Sequence, residues 1–107
     1  MLLSTIGAKT GLRRELPLGY ATDGDSLIVI ASNYGGPGHP AWYRNLIANP
    51  TVDVLAGRHS DTYTAVEITD PAERAAAWDR ALDVYSGYGD YEVRASHRTI
   101  PVIRLVR

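Results

Sequence analysis

Apolar and polar positions fall along this chain in short runs punctuated by glycine and proline. Leu2 to Ile6 is a brief apolar-rich run stopped by Gly7, and Gly7-Ala8-Lys9-Thr10-Gly11 has the composition of a loop. Leu12 to Thr22 alternates loosely. Pro17 has no N–H to donate, so the pattern predicts an edge strand or a bulge there. Asp23-Gly24-Asp25 is a tight-turn signal, and Ser26 to Ser32 contains the unbroken run Leu27-Ile28-Val29-Ile30-Ala31, the mark of a strand buried on both faces. These two strands are expected to form a hairpin.

The second half changes period. After the glycine-rich loop Asn33 to Gly38, His39-Pro40 opens a helix with Trp42, Tyr43, Leu46 and Ile47 at i, i+4 spacing, and Asn49-Pro50 ends it. Thr51 to Ala56 alternates as a strand, Gly57-Arg58-His59 turns the chain, and Ser60 to Ile68 puts Thr62, Thr64, Val66 and Ile68 on one face of a half-buried strand. Asp70-Pro71-Ala72-Glu73 is a helix start with a capping aspartate. Ala75, Trp78, Ala81, Leu82 and Tyr85 then recur at helical spacing until Gly87 and Gly89 break the helix. Tyr91 to Ser96 predicts a further helical turn and Ile100 to Val106 a last strand. Strands follow one another too directly for repeated parallel crossovers, so an α+β, mainly β fold is expected: about six mostly antiparallel strands, two to three helices, and a small barrel without exposed edges.

Composition narrows the classes. The 107 residues bound one domain, and a formal net charge of −1 with scattered basic residues argues against a nucleic-acid partner. The absence of cysteine excludes disulfides and thiolate metal sites, and no apolar run approaches the roughly 20 residues that span a bilayer. A cytoplasmic location is the expectation. Seven tyrosines and two tryptophans with no phenylalanine give every benzenoid side chain a polar handle, so some rings are candidates for lining a site.

Three constellations are candidates for chemistry. The Gly7–Gly11 turn has glycines for close backbone approach, the Lys9 charge and the Thr10 hydroxyl; it lacks the spacing of a P-loop, and a solvated hairpin turn is the bland alternative. Arg13 and Arg14 point to opposite strand faces, so only one joins Lys9. Trp42 and Asn45, three apart on a helix, pair an aromatic ring with an amide, as a planar heterocycle would require; core packing is the alternative. Tyr85, Tyr88 and Tyr91 repeat at intervals of three and suit an aromatic wall with hydroxyls. His39, His59 and His97 are isolated, no metal-ligand spacing occurs, and no serine sits in a nucleophile elbow, so the chemistry is assigned to a bound cofactor.

Taken in order, these segments resemble the deazaflavin-dependent nitroreductase family, split β-barrels that bind coenzyme F420. The resemblance rests on Gly7–Gly11 with Arg14 and Pro17, on Ala31-Ser32, and on the run from Pro40 to Pro50. It continues in Asp70–Arg74, the three spaced tyrosines and Arg98–Val102. It implies that Lys9, Thr10 and Arg14 hold the cofactor's phosphate and acidic tail. Pro17, Ala31, Ser32, Asn33, Trp42 and Asn45 would line the deazaflavin pocket, and Tyr85, Tyr88 and Tyr91 would border the substrate. Hydride would pass from the reduced cofactor to a quinone, enone or nitroaromatic, with Tyr88, Tyr91 or Ser32 placing the proton.

Two departures stand out. Asn33 occupies a position where many relatives have lysine, which implies lower cofactor affinity. Residues 1–107 also read as one split-barrel domain without the relatives' N-terminal helical segment. Membrane attachment is therefore not expected, and a homodimer is the device that would cover the open groove. FMN in place of the deazaflavin, and a non-catalytic cofactor carrier, are the alternatives.

Overall fold

The computed structural model describes residues 1–36, 38–94 and 99–107. Strands β1 (Leu2–Ile6), β2 (Arg13–Pro17), β3 (Ala21–Asp23) and β4 (Ser26–Ile30) come first, followed by a 3-10 turn, Asn33–Gly35, and helix α1 (Ala41–Ala48). Strands β5 (Thr51–Ala56) and β6 (His59–Glu67), helices α2 (Pro71–Val84) and α3 (Gly87–Arg94), and strand β7 (Val102–Val106) complete the order. The seven strands form one antiparallel sheet in the order β2-β1-β5-β6-β7-β4-β3. Mainly β with three helices is the expected class, with seven strands in place of about six.

The extra strand comes from the stretch Leu12 to Thr22, which is two strands. Residues 18–20 interrupt it after Pro17, and its halves sit at opposite ends of the sheet. The predicted hairpin therefore holds only for β3 and β4; β2 pairs with β1 instead. Nor does the barrel remove its edges: β2 and β3 are the two free ends of the sheet, and the barrel is split between them. On β3 the edge carbonyl of Thr22 is capped by Arg80 of α2 at 3.4 Å.

Strand β4 explains why the sheet has two cores. Its alternate residues Leu27 and Val29 join Leu3, Trp42, Leu46, Val52, Val54, Tyr63, Ile103 and Leu105 inside the barrel. Ile28 and Ile30 face the other way, onto Ala77, Trp78 and Ala81 of α2. The unbroken apolar run is thus a strand covered on both faces.

Elsewhere the details differ. In β6 the buried side chain is Tyr63, while Thr62, Thr64 and Val66 are exposed; of the four residues expected to share a face only Ile68, just past the strand, is buried. β-branched residues suit any pleated surface, buried or not, so their alternation did not identify the inner side. Ile47 on α1 is exposed, as is Ala75 on α2, where Ala77 takes the inner position. Helix α2 ends at Val84 because Tyr85 adopts an extended backbone (φ −147°, ψ 103°). Gly87 and Gly89 do not break it; they lie inside α3. Ser96, His97 and Arg98 fall outside the described residues. The Asp70 cap forms as its sequence signature implies, accepting from the Glu73 N–H at 2.9 Å.

The β3–β4 hairpin, β7 and α2 are tied by one charged cluster. Arg104 donates to Asp23 at 2.9 Å and to the Ser26 hydroxyl at 2.6 Å, and Arg80 approaches the same Asp23 at 3.3 Å. The hydrogen bond from Arg104 holds the Asp23 carboxyl below its ordinary value. The stabilisation is full above the unfolded carboxyl's pKa of about 3.9 and is lost as pH falls through the lower folded value. Asp23→Asn should therefore flatten the acid side of a stability profile recorded by urea unfolding between about pH 2 and pH 5. An unchanged profile would remove Asp23 from the acid response.

Candidate functional site

The β1–β2 connection begins with geometry that leaves the main chain little choice. Gly7 N–H donates to the Leu12 carbonyl at 2.8 Å, Gly11 N–H to the Gly7 carbonyl at 2.9 Å, and Gly11 takes a left-handed φ of 68°. Thr10 closes the loop, its hydroxyl oxygen accepting from the Leu12 N–H at 3.2 Å. Asn45 of α1 then fixes this loop in space. Its Oδ1 accepts from the Ala8 N–H at 3.0 Å, and its Nδ2 donates to the Thr5 hydroxyl at 3.2 Å. The Asn45 amide, expected to meet a heterocycle, also joins helix and turn while it lines the groove.

On its other side α1 is held by Tyr43, whose hydroxyl donates to Glu67 of β6. Burial first, and that hydrogen bond second, push the Tyr43 phenol up to about 12. Between the two anchors α1 presents Trp42 and Arg44 to a cavity of about 620 Å³, lined also by Thr5, Lys9, Thr10, Arg14, Leu16 and Asn45. Lys9, Arg14 and Arg44 come from three separate segments to one groove. The alternation of β2 holds: Arg14 lines this groove while Arg13 turns away, 3.0 Å from Asp53 and 3.3 Å from Glu15.

Strand β2 offers its main chain as well. Leu18 N–H donates to Met1 and Gly7 N–H to Leu12, so the ladder to β1 uses the even-numbered residues of this segment. The amide and carbonyl of Glu15 consequently face away from β1, and Glu15 lines the groove. Neither this edge nor Arg44 stood out in the sequence. Arg44 carried a signal, since it lies on the same short helix as Trp42 and Asn45. The edge carried none, because main-chain direction depends on pairing.

A second cavity, of about 580 Å³, shares Leu16 and Trp42 with the first and continues to Pro17, Leu18, Gly19, Ile30, Ser32, Asn33, Val84, Tyr85, Tyr88 and Tyr91. The three tyrosines do form a cluster: ring centroids lie 5.1 Å apart for Tyr85 and Tyr88, 5.8 Å for Tyr85 and Tyr91, and 6.3 Å for Tyr88 and Tyr91. Tyr85 and Tyr91 share a hydrogen bond of 2.8 Å. Burial, and to a lesser extent Tyr85, raise the Tyr88 phenol above its ordinary value. Ser32 is buried and Pro17 lies on the cavity wall, whereas Asn33 is exposed and donates from Nδ2 to the Gly38 carbonyl at 3.0 Å. Ala31 lines neither cavity; it is fully buried in the barrel core. Among the described residues no cluster of metal-ligating side chains occurs.

A split barrel with a cationic groove running into an aromatic cavity is the architecture of a protein that can hold a flat cofactor with an anionic tail. Residues 1–106 match the family model of the F420H(2)-dependent quinone reductases, and the chain belongs to that family. It is 41% identical over 110 residues to the F420H(2)-dependent quinone reductase Rv1261c of Mycobacterium tuberculosis (strain ATCC 25618 / H37Rv), covering 100% of this chain and 72% of the relative. A solved structure described as an F420-H2 dependent reductase, FDR-A, superposes with a TM-score of 0.87 at 37% identity, covering 97% of this chain and 90% of that one. Another, described as a domain-swapped dimer, gives 0.88 at 37% identity over 97% and 77%.

The donor set fits the cofactor this family uses. Among the described residues three cations stand in the groove, where Glu15 is the one acidic residue of the lining and has its carboxylate paired to Arg13. Such a set suits an anionic tail, and Trp42 at the junction of the two cavities suits a flat ring system. Because Asn45 joins turn to helix, Asn45→Ala should release the Ala8 amide. Its hydrogen exchange should quicken roughly fivefold or more, the loss of one net hydrogen bond. Unaltered exchange at Ala8 would show that the turn holds itself.

Proposed function

We propose that Lys9, Arg14 and Arg44 hold the phosphate and acidic tail of F420, that the ring lies at the Trp42–Leu16 junction, and that the tyrosine cavity receives the acceptor. The observation that carries this reading is the continuity of a cationic and an aromatic cavity through two shared residues. When bound, the reduced deazaflavin supplies a hydride to an electron-poor acceptor. Everything else falls to the chain. Lys9 and Arg14 neutralise the tail, with Thr10, whose O–H lies outside its bond to Leu12, as a further contact. The Glu15 main chain, unpaired along the β2 edge, suits a ring carbonyl or ring N–H.

On the acceptor side Tyr88 is the proton donor whose hydroxyl is most available among the three tyrosines. Tyr85 and Tyr91 are engaged with each other, while Tyr88 Oη has no hydrogen-bond partner among the described residues. Burial keeps its phenol protonated at neutral pH, so Oη can donate to a quinone oxygen and pass on its proton. Ser32, on the same cavity wall, is a second polar contact. A quinone carries two oxygens on a flat ring, which matches an apolar cavity edged with hydroxyls; nitroaromatic and enone acceptors share the flatness and the electron demand. Asn33 puts no charge here, and its amide binds its own loop.

Further features support the setting. No described helix is long and apolar enough to cross a membrane, and the proposed location is the cytoplasm. Leu55, Val66 and Val106 leave apolar surface on exposed strand positions, which together with the dimeric neighbour supports a homodimer.

Titration of F420 into the protein, followed by a screen of quinone, nitro and enone acceptors with reduced F420, tests the assignment. Lys9→Ala or Arg14→Ala should raise the cofactor Kd about tenfold, the worth of one charged hydrogen bond, and more at low salt than at high. Equal dissociation constants for wild type and Lys9→Ala would refute the phosphate role. Tyr88→Phe should leave Kd nearly unchanged and lower kcat roughly a hundredfold, the low end for a lost general acid. Bound cofactor that no acceptor oxidises would instead identify a carrier.

A further inference from the structure

Three glycines flank the segment that carries the tyrosines of the acceptor cavity, and one of them lies directly against a tyrosine ring. A side-chain carbon at Gly19 would lie 3.5 Å from Tyr88 Oη, and one at Gly35 would lie 2.6 Å from Arg94 Cβ and 3.2 Å from the Tyr91 carbonyl. Gly87 is the closest case: its Cβ would meet the Tyr85 ring face-on, 2.6 Å from Cε2 and nearer still to Cζ and Oη. Real Cβ atoms essentially never approach within 3.0 Å, so any side chain at 87 must displace that ring.

Gly87 differs from the usual structural glycine. Its φ is not in the left-handed region, which among glycines is occupied by Gly11, Gly24, Gly35 and Gly57. It opens α3, a place where alanine is the better helix former. The backbone therefore has no need of glycine at 87; the Tyr85 ring does. Tyr85 is 46% exposed, so it can swing into solvent without loss of core. Helix α3 itself buries no residue completely, which leaves local contacts to place its tyrosines.

We propose that Gly87 is a positioning residue that sets how firmly the acceptor is held: by letting the Tyr85 ring lie on its backbone, it fixes the Tyr85–Tyr91 hydrogen bond and one wall of the cavity. The inference rests on the reading of that cavity as the acceptor site. Alanine at 87 pushes the ring outward, breaks the 2.8 Å bond to Tyr91 and opens the edge-on contact with Tyr88. The cavity widens on that side and holds a small flat acceptor less firmly.

The test compares wild type, Gly87→Ala, Tyr85→Ala and the double variant, with F420 as donor and a two-ring naphthoquinone as acceptor. Gly87→Ala should raise the quinone KM about fivefold, the worth of one net hydrogen bond. The F420 Kd should stay unchanged and the thermal midpoint should not fall. In the Tyr85→Ala background the same substitution should add nothing, since no ring remains to be displaced. A KM unchanged by Gly87→Ala, or a rise of equal size in both backgrounds, would overturn the proposal. The aromatic NMR resonances of Tyr85 need no turnover and read the seating separately. Movement of those resonances in Gly87→Ala with no acceptor oxidised by the wild type would sustain the seating and defeat the acceptor reading instead.

Discussion

The Asn45 amide is the contact on which the site depends. One side chain accepts from the Ala8 N–H and donates to the Thr5 hydroxyl, and so couples a glycine-containing turn to the helix that carries Trp42 and Arg44. The turn alone has a few short internal hydrogen bonds and faces solvent. Helix α1 alone has eight residues, too few to be stable in water without tertiary contacts. Joined, they form opposite walls of one groove. Tyr43, bonded to Glu67, holds the helix from behind, so α1 is fixed on two sides and its intervening residues face the cavity.

That arrangement also resolves the electrostatics. A net charge of −1 describes the whole chain and hides a groove in which Lys9, Arg14 and Arg44 converge. Arg13, adjacent in sequence to Arg14, contributes nothing to the groove because strand alternation sends it to Asp53. The positive groove is therefore a local property built by folding, from cations brought together from the turn, β2 and α1. The chemistry at the other end is different in kind. Among the described residues the tyrosine cavity has no charged side chain in its lining, which offers shape and hydroxyl groups instead.

Much of this was legible in the sequence where one residue decides one feature. The Asp70 cap, the buried run of β4, the alternation of β5 and the spacing of the three tyrosines are local signals, and each has its counterpart in the structure. What was not legible depends on partners distant in the chain. Pro17 marked a disturbance but not that the chain would leave one edge of the sheet and begin the other. Alternation in β6 did not tell its inner face, which is set by Tyr63: the ring turns inward and its polar tip meets Arg107 at 3.1 Å. Gly87 was read as a helix breaker when its lack of a side chain makes room for a ring. Asn45 was placed correctly at the groove, but its partners, 37 and 40 residues away, gave it a task its helical spacing could not reveal.

Asn45 acts either through the turn or on the cofactor directly. A double-mutant cycle on the F420 dissociation constant, with Asn45→Ala and Lys9→Ala made singly and together, separates the two. If the clamp presents Lys9, the second substitution should weaken binding far less than it does alone, so that the double variant resembles the worse single variant. Strictly additive losses would contradict the account and would return Asn45 to the role of an independent contact.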